Sequence, residues 1–329
     1  MKITHYIFEL LKERVIKIVP PKEVKFLPKS TDLDKSYIPF CDLIFIIERF
    51  IDSKILPKKY EIIYSTKFAD SVLPDKAQNN LKQLKSKLTS GDVSINKLSA
   101  GFLPKSTKNY LLDYFGTTDN KRYIVDFTNQ FFGIKHFHLD SYNRNDDILL
   151  FYVALIDKII FLKIGNHNDL YKQDLVENLI LEFPEVIGQL GIAAYPDMPI
   201  GEKYKYSTDE IKNTWISGGN VSFLVNKQYF TSCNPQTLSR LNTNVVSIVQ
   251  NVYYQIEENL KQFISQLNIA PNFVINELEI EPLLYEDNQL FHGCNILIGE
   301  KNTKIATEIR IDYLCKLDFL DMMIKNNAL

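Results

Sequence analysis

Glycine is scarce in this chain, 12 of 329 residues, tryptophan occurs once, and the four cysteines stand far apart. With so little glycine there is no P-loop and no GxGxxG phosphate cradle, and His-Glu-x-x-His is absent as well. Cys41, Cys233, Cys294 and Cys315 show no C-x-x-C spacing. That argues against a zinc knuckle or disulfide framework and for reduced core cysteines of a cytoplasmic protein. Long apolar runs are also missing. The most apolar stretch, residues 43–47, lies between Asp42 and the pair Glu48 and Arg49. It is far short of the roughly 20 residues a bilayer span needs, so it reads as a buried helix and no membrane association is expected. Met1 and Lys2 lead into an amphipathic segment without an apolar h-region or small-residue cleavage site, so no signal peptide is expected. The net charge of −2 excludes whole-molecule attraction to nucleic acid and leaves only a local basic patch for that purpose.

What is present is an ordinary globular balance, 45% hydrophobic and 24% charged, in a chain long enough for two or three units. Ile7, Leu10, Leu11, Val15 and Ile18 share one helical face before Pro20 and Pro21 end the run. A second helix is expected over about 39–51. A third begins near Asp75, with Ala77, Leu81, Leu84 and Leu88 inward and Gly91 as its end. Residues 134–139, 148–155 and 159–164 have strand character, and the last two close as a hairpin around Asp157. Both hairpin arms are apolar on both faces and should lie centrally in a covered sheet.

Six proline and glycine breakers crowd residues 184–201, which marks the expected domain boundary. Beyond it come a capping box at Ser207 to Glu210, a hairpin over 221–231, a long amphipathic helix over 235–267 and strands near 273–280, 290–298 and 305–311. The expected fold class is α+β. A helical N-terminal region, 1–70, leads into a unit with a small antiparallel meander, 71–190. A second α+β unit with one long helix then occupies 191–329. Part of the long helix should pack on the N-terminal unit or on another chain, which makes self-association or a protein partner an expectation.

The chemistry concentrates in residues 131–172. His136 and His138 fall on one face of a strand, roughly 7 Å apart at Cα. In a meander the first and third strands run parallel to each other, which brings His138 and His167 to the same end of the sheet, about 10 Å apart. Lys135, Asp140, Tyr142, Arg144, Asn166 and Asp169 crowd that end. Histidine can act as general acid and base near neutral pH, and a cation can stabilise an anionic transition state. Two other readings stand beside this one. The histidines can be half-buried sheet and loop residues bonded to neighbouring carbonyls. Alternatively, His-x-His-x-Asp plus a distant His supplies zinc ligands, a pattern partly similar to the metallo-β-lactamase motif, with Ser141 where that motif has a further His.

Residues 149–171 carry a resemblance. A Leu-Leu-Phe-Tyr-Val strand, a turn at Asp157 and Lys158, and then Ile-Ile-Phe-Leu-Lys-Ile-Gly-Asn-His-Asn-Asp-Leu-Tyr is similar to the closing hairpin of RelE-type endoribonuclease toxins. Gly165, His167, Asp169 and Tyr171 match the shape of that family's tail, while Asn168 stands where those toxins have a cation. The His-x-His-Leu segment also resembles uncharacterised bacterial proteins with a similar hairpin. The toxin resemblance implies RNA as partner and metal-free cleavage by 2′-hydroxyl attack, with no cofactor. His136 or His138 would be the base, His167 the acid, and Lys135 or Arg144 the stabilising cation. Tyr142, Tyr171 and Asn166 would contact substrate. It therefore implies a ribonuclease-like toxin or host-defence effector. The alternative is a non-catalytic interaction or assembly protein of a bacterial defence or regulatory system.

Overall fold

The computed structural model describes residues 3–92, 127–139, 148–195, 206–266 and 280–325, less 20, 35–36, 53–54, 57, 69–72, 217–218, 234–242, 284–293 and 301–304. The described residues form an α+β fold organised around three apolar clusters. A four-stranded sheet at its centre comprises β1 (Glu61–Tyr64), β2 (Ile134–His138), β3 (Leu149–Ala154) and β4 (Lys158–Gly165), in the order β1-β4-β3-β2. The expected meander is there: β2, β3 and β4 pair antiparallel. The sheet is nevertheless mixed rather than purely antiparallel, because β1 joins β4 in parallel. Nothing in the short, half-polar sequence of β1 announces this pairing, which the Ser65 hydroxyl reinforces by donating to the Leu162 carbonyl at 2.7 Å.

The two hairpin arms hold the centre of the sheet because both of their faces are apolar. Phe137, Leu150, Tyr152, Ile159 and Phe161 face α3 (Asp75–Ser90), which contributes Ala77, Leu81, Leu84 and Leu88. Gly91 ends α3 at φ 81°, a left-handed conformation that costs glycine little, and its N–H donates to the Lys87 carbonyl. Ile134, Leu149, Phe151, Val153, Ile160 and Leu162 face the other way. They pack with α4 (Phe127–Phe132), α5 (Gln173–Glu182), α6 (Thr208–Ile216) and a second sheet of β5 (Ile192–Tyr195), β6 (Ser222–Val225) and β7 (Gln228–Ser232). Trp215 is buried here, stacked on Phe131 with ring centroids 5.5 Å apart. Ser207 and Glu210 form the expected reciprocal cap at the start of α6.

The described part of the expected boundary, 184–195, does not separate two cores. Phe183 before it and Val186 and Ile192 within it share a single core with Ile211, Trp215 and Phe223 beyond it, and β5 emerges there to pair with β7. Pro184, Gly188 and Gly191 lie in the connection between α5 and β5, while Pro196, Pro199 and Gly201 lie outside the described residues. The real grouping joins the two ends of the chain. The helices α1 (Ile3–Ile18) and α2 (Ile38–Asp52) share their core with α7 (Thr243–Gln266), β9 (Asn295–Glu300), β10 (Ala306–Arg310) and α8 (Leu314–Lys325). A short strand, β8 (Ile280–Pro282), extends the β9–β10 pair. The apolar stripe of the long helix is covered by the N-terminal helices, with Phe40 meeting Tyr253 edge to face at 5.5 Å. The first part of that helix, 235–242, and the strand expected from 273 to 279 lie outside the described residues.

The cysteines also require a correction. Cys41 is buried as a core thiol, but Cys233 is exposed, and Cys294 and Cys315 are joined as a disulfide. The chain leaves β9 through the β10 hairpin and returns so that the Ile311 N–H donates to the Cys294 carbonyl. This brings the start of α8 to a Cα–Cα distance of 5.1 Å. A 21-residue separation carries no spacing signature, so only the hairpin's return creates the pair. Among the described residues no helix is long and apolar enough to cross a membrane.

Candidate functional site

The site forms at the end of the central sheet where β2 and β4 finish. Alternation along β2 puts Ile134, His136 and His138 on one face and Lys135 and Phe137 on the other. Ile134 is in the apolar cluster on the α5 side and Phe137 in the cluster on the α3 side, so both histidines lie toward α5. His138 pairs with Leu149, which in turn pairs with Gly165. Two residues past Gly165 the chain turns back through a 3₁₀ turn, His167–Tyr171, and this turn carries the third imidazole.

The three rings pack against one another. Ring centroids are 5.3 Å apart for His136 and His138, 5.7 Å for His136 and His167, and 5.3 Å for His138 and His167. One nitrogen from each imidazole lies within 4.8 Å of the other two. Phe151 closes one side, its ring 6.3 Å from His136. None of the three histidines is exposed.

A charged framework holds the turn. Asn166 caps it: its side chain accepts from the Asn168 N–H at 2.9 Å, while its own N–H donates to the Asp169 carboxylate at 2.9 Å. Asp169 is 4% exposed and also takes the Lys172 ammonium at 2.6 Å and that of Lys163 at 3.4 Å. Lys163 reaches Asp174, on α5, at 3.2 Å. Burial alone would raise the Asp169 pKa. The Lys172 hydrogen bond, the Asn166 N–H and the nearby positive charges outweigh it and hold the carboxyl below its ordinary range. The same pairing raises the Lys172 ammonium. Gly165 makes the arrangement possible, since a Cβ there would collide with the Asp169 carboxylate and stand 3.2 Å from the Phe151 ring.

The structure thus gathers His136, His138 and His167, as the parallel run of the first and third strands led us to expect. It gives Lys135, Asn166 and Tyr171 other places. Lys135 projects from the opposite face of β2, so it does not stand beside the histidines as a stabilising cation. Asn166 uses its side chain as a cap. Tyr171 packs in the core 6.1 Å from Trp215, under the Lys212 ammonium. Tyr142 and Arg144 lie outside the described residues, as do Asp140 and Ser141. Sequence reasoning missed the role of Lys163 and Lys172. The readable signal was Asn166-x-x-Asp169, which has the spacing of a reciprocal cap.

Three imidazoles with converging nitrogens can do two things: exchange protons with a bound substrate, or share a metal ion. For a tetrahedral zinc ion the nitrogens must sit about 3.3 Å apart, given Zn–N bonds of about 2.0–2.1 Å. The three nitrogens lie within 4.8 Å of one another. No known protein family matches the chain, and neither curated proteins nor solved structures include a match to it.

Proposed function

We propose that the protein is a metal-dependent hydrolase whose centre is a divalent transition ion, zinc first among them, held by His136, His138 and His167. The observation that carries this reading is the mutual approach of one nitrogen from each ring to within 4.8 Å. Imidazole suits zinc and its neighbours in the first transition row. Structural zinc sites close with four protein ligands, whereas catalytic sites use three and keep a position for water. Three histidines match the second pattern among the described residues. The bound ion would lower the pKa of that water toward neutrality and polarise the bond under attack. It would also supply positive charge at the rings, while Lys163 and Lys172 are engaged with Asp169 and Asp174.

RNA is the first substrate to test, because residues 149–171 resemble the closing hairpin of RelE-type toxins. That resemblance keeps a second reading in play. Ring separations of 5.3–5.7 Å would let two imidazoles reach one phosphate, with His136 or His138 as base and His167 as acid, and no metal. The experiment is zinc titration of chelator-stripped protein by calorimetry, paired with RNA incubation in EDTA and after zinc is restored. One zinc per chain and cleavage only with zinc are expected. Cleavage undiminished in EDTA would replace the metal reading with the acid–base one. Neither zinc binding nor cleavage would favour the non-catalytic assembly protein.

A further inference from the structure

We infer that Asp169 is the positioning residue of the three-histidine centre: it determines whether His167 is presented as the third ligand. This rests on the metal reading above. His136 and His138 need no such help, because a paired strand holds them on one face at fixed spacing. His167 is different. It sits on a single 3₁₀ turn between β4 and α5, and such a turn has little stability of its own. Its placement must come from what anchors the turn.

The anchors converge on one carboxylate. Asp169 Oδ2 accepts from the Asn166 N–H at the start of the turn, and the Lys172 N–H donates to the Asp169 carbonyl at its end. Oδ1 takes the ammonium of Lys172, just beyond the turn, and that of Lys163, from within β4. One buried side chain therefore ties together the strand, both ends of the turn and, through Lys163 and Asp174, the first turn of α5. The carboxylate occupies the space that the missing Gly165 side chain leaves, directly under the chain that leads to His167. Outer-shell groups that orient a ligand typically change metal affinity by about 10–100-fold when removed.

The test uses the full chain and cobalt(II) as a spectroscopic stand-in for zinc. Wild type, His167→Ala, Asp169→Asn and Asn166→Ala are titrated while their visible ligand-field bands are recorded. His167→Ala defines the two-histidine baseline. Asp169→Asn is expected to lose about 10–100-fold in affinity and to take on the His167→Ala spectrum. A merely structural carboxylate would not produce that spectral change. Asn166 is exposed, so its alanine variant loosens the same turn without burying an unpaired group. A loss of about 10-fold is expected there, with the melting temperature close to that of wild type. If Asp169→Asn does not fold, the Asn166→Ala spectrum and affinity decide. Wild-type spectra and affinities in the folded variants would overturn this inference alone. A wild-type chain that binds neither cobalt nor zinc would overturn the metal reading and this inference together.

Discussion

The unit built from residues 55–232 and the unit built from the two chain ends each enclose apolar clusters, but they use polar groups differently. In the first, three imidazoles and the Lys163–Asp169–Lys172 cluster gather at one end of a sheet whose middle strands are adjacent in sequence. In the second, the ion pairs serve as ties. Arg14 donates to Asp321 at 3.1 Å across 307 residues, and Lys316 reaches Glu48 at 2.8 Å across 268. The first unit assembles chemistry from near neighbours. The second closes the molecule, and its contacts must overcome the entropy of joining distant segments. Damage to one unit should therefore be separable from damage to the other.

The largest expected effect comes from the joined ends. Phe40 is fully buried between Phe8 and Tyr253. Phe40→Ala should cost about 3–5 kcal/mol in urea or guanidinium unfolding, in the range for truncating a core aromatic. Metal affinity measured below the transition should stay at the wild-type value. Matched losses in both measurements would show that the two units are coupled and would break the comparison.

The disulfide comes next. Reducing Cys294–Cys315, or replacing Cys315 with Ser, opens a loop whose ends are 21 residues apart. The chain-entropy cost of such a loop is about 3 kcal/mol. Stability should fall by about that amount under reducing conditions, with the wild type and Cys315→Ser then converging. No change on reduction would mean that the core around Tyr313 and Leu317 holds α8 in place unaided.

The smallest effect is one of pH. Tyr313 lies in the joined-ends core, and burial together with the neighbouring Glu48 carboxylate pushes its phenol well above the ordinary value of 10.0. The folded state therefore keeps a proton that the unfolded state releases first. This contribution to stability is complete below about pH 10 and declines as pH rises further. Tyr313→Phe should flatten the alkaline decline in melting temperature. A decline identical to wild type would assign it to other groups.

How much of this was legible beforehand depended on range. The period of Ala77, Leu81, Leu84 and Leu88 determined α3 and its buried face, because a helix repeats within a few residues. The doubly apolar arms on either side of Asp157 determined a central hairpin, and the two-residue spacing of His136 and His138 determined their shared face. Only the tertiary structure decided the rest. It brought β1 in parallel beside β4, closed α7 over the N-terminal helices, joined Cys294 to Cys315 and turned Lys135 away from the rings. It also placed the Asp169 carboxylate in the gap at Gly165, where it anchors the turn bearing His167. Periodicity shows which way a side chain faces along its own element, but which distant segment meets it is decided by the packing of the whole chain.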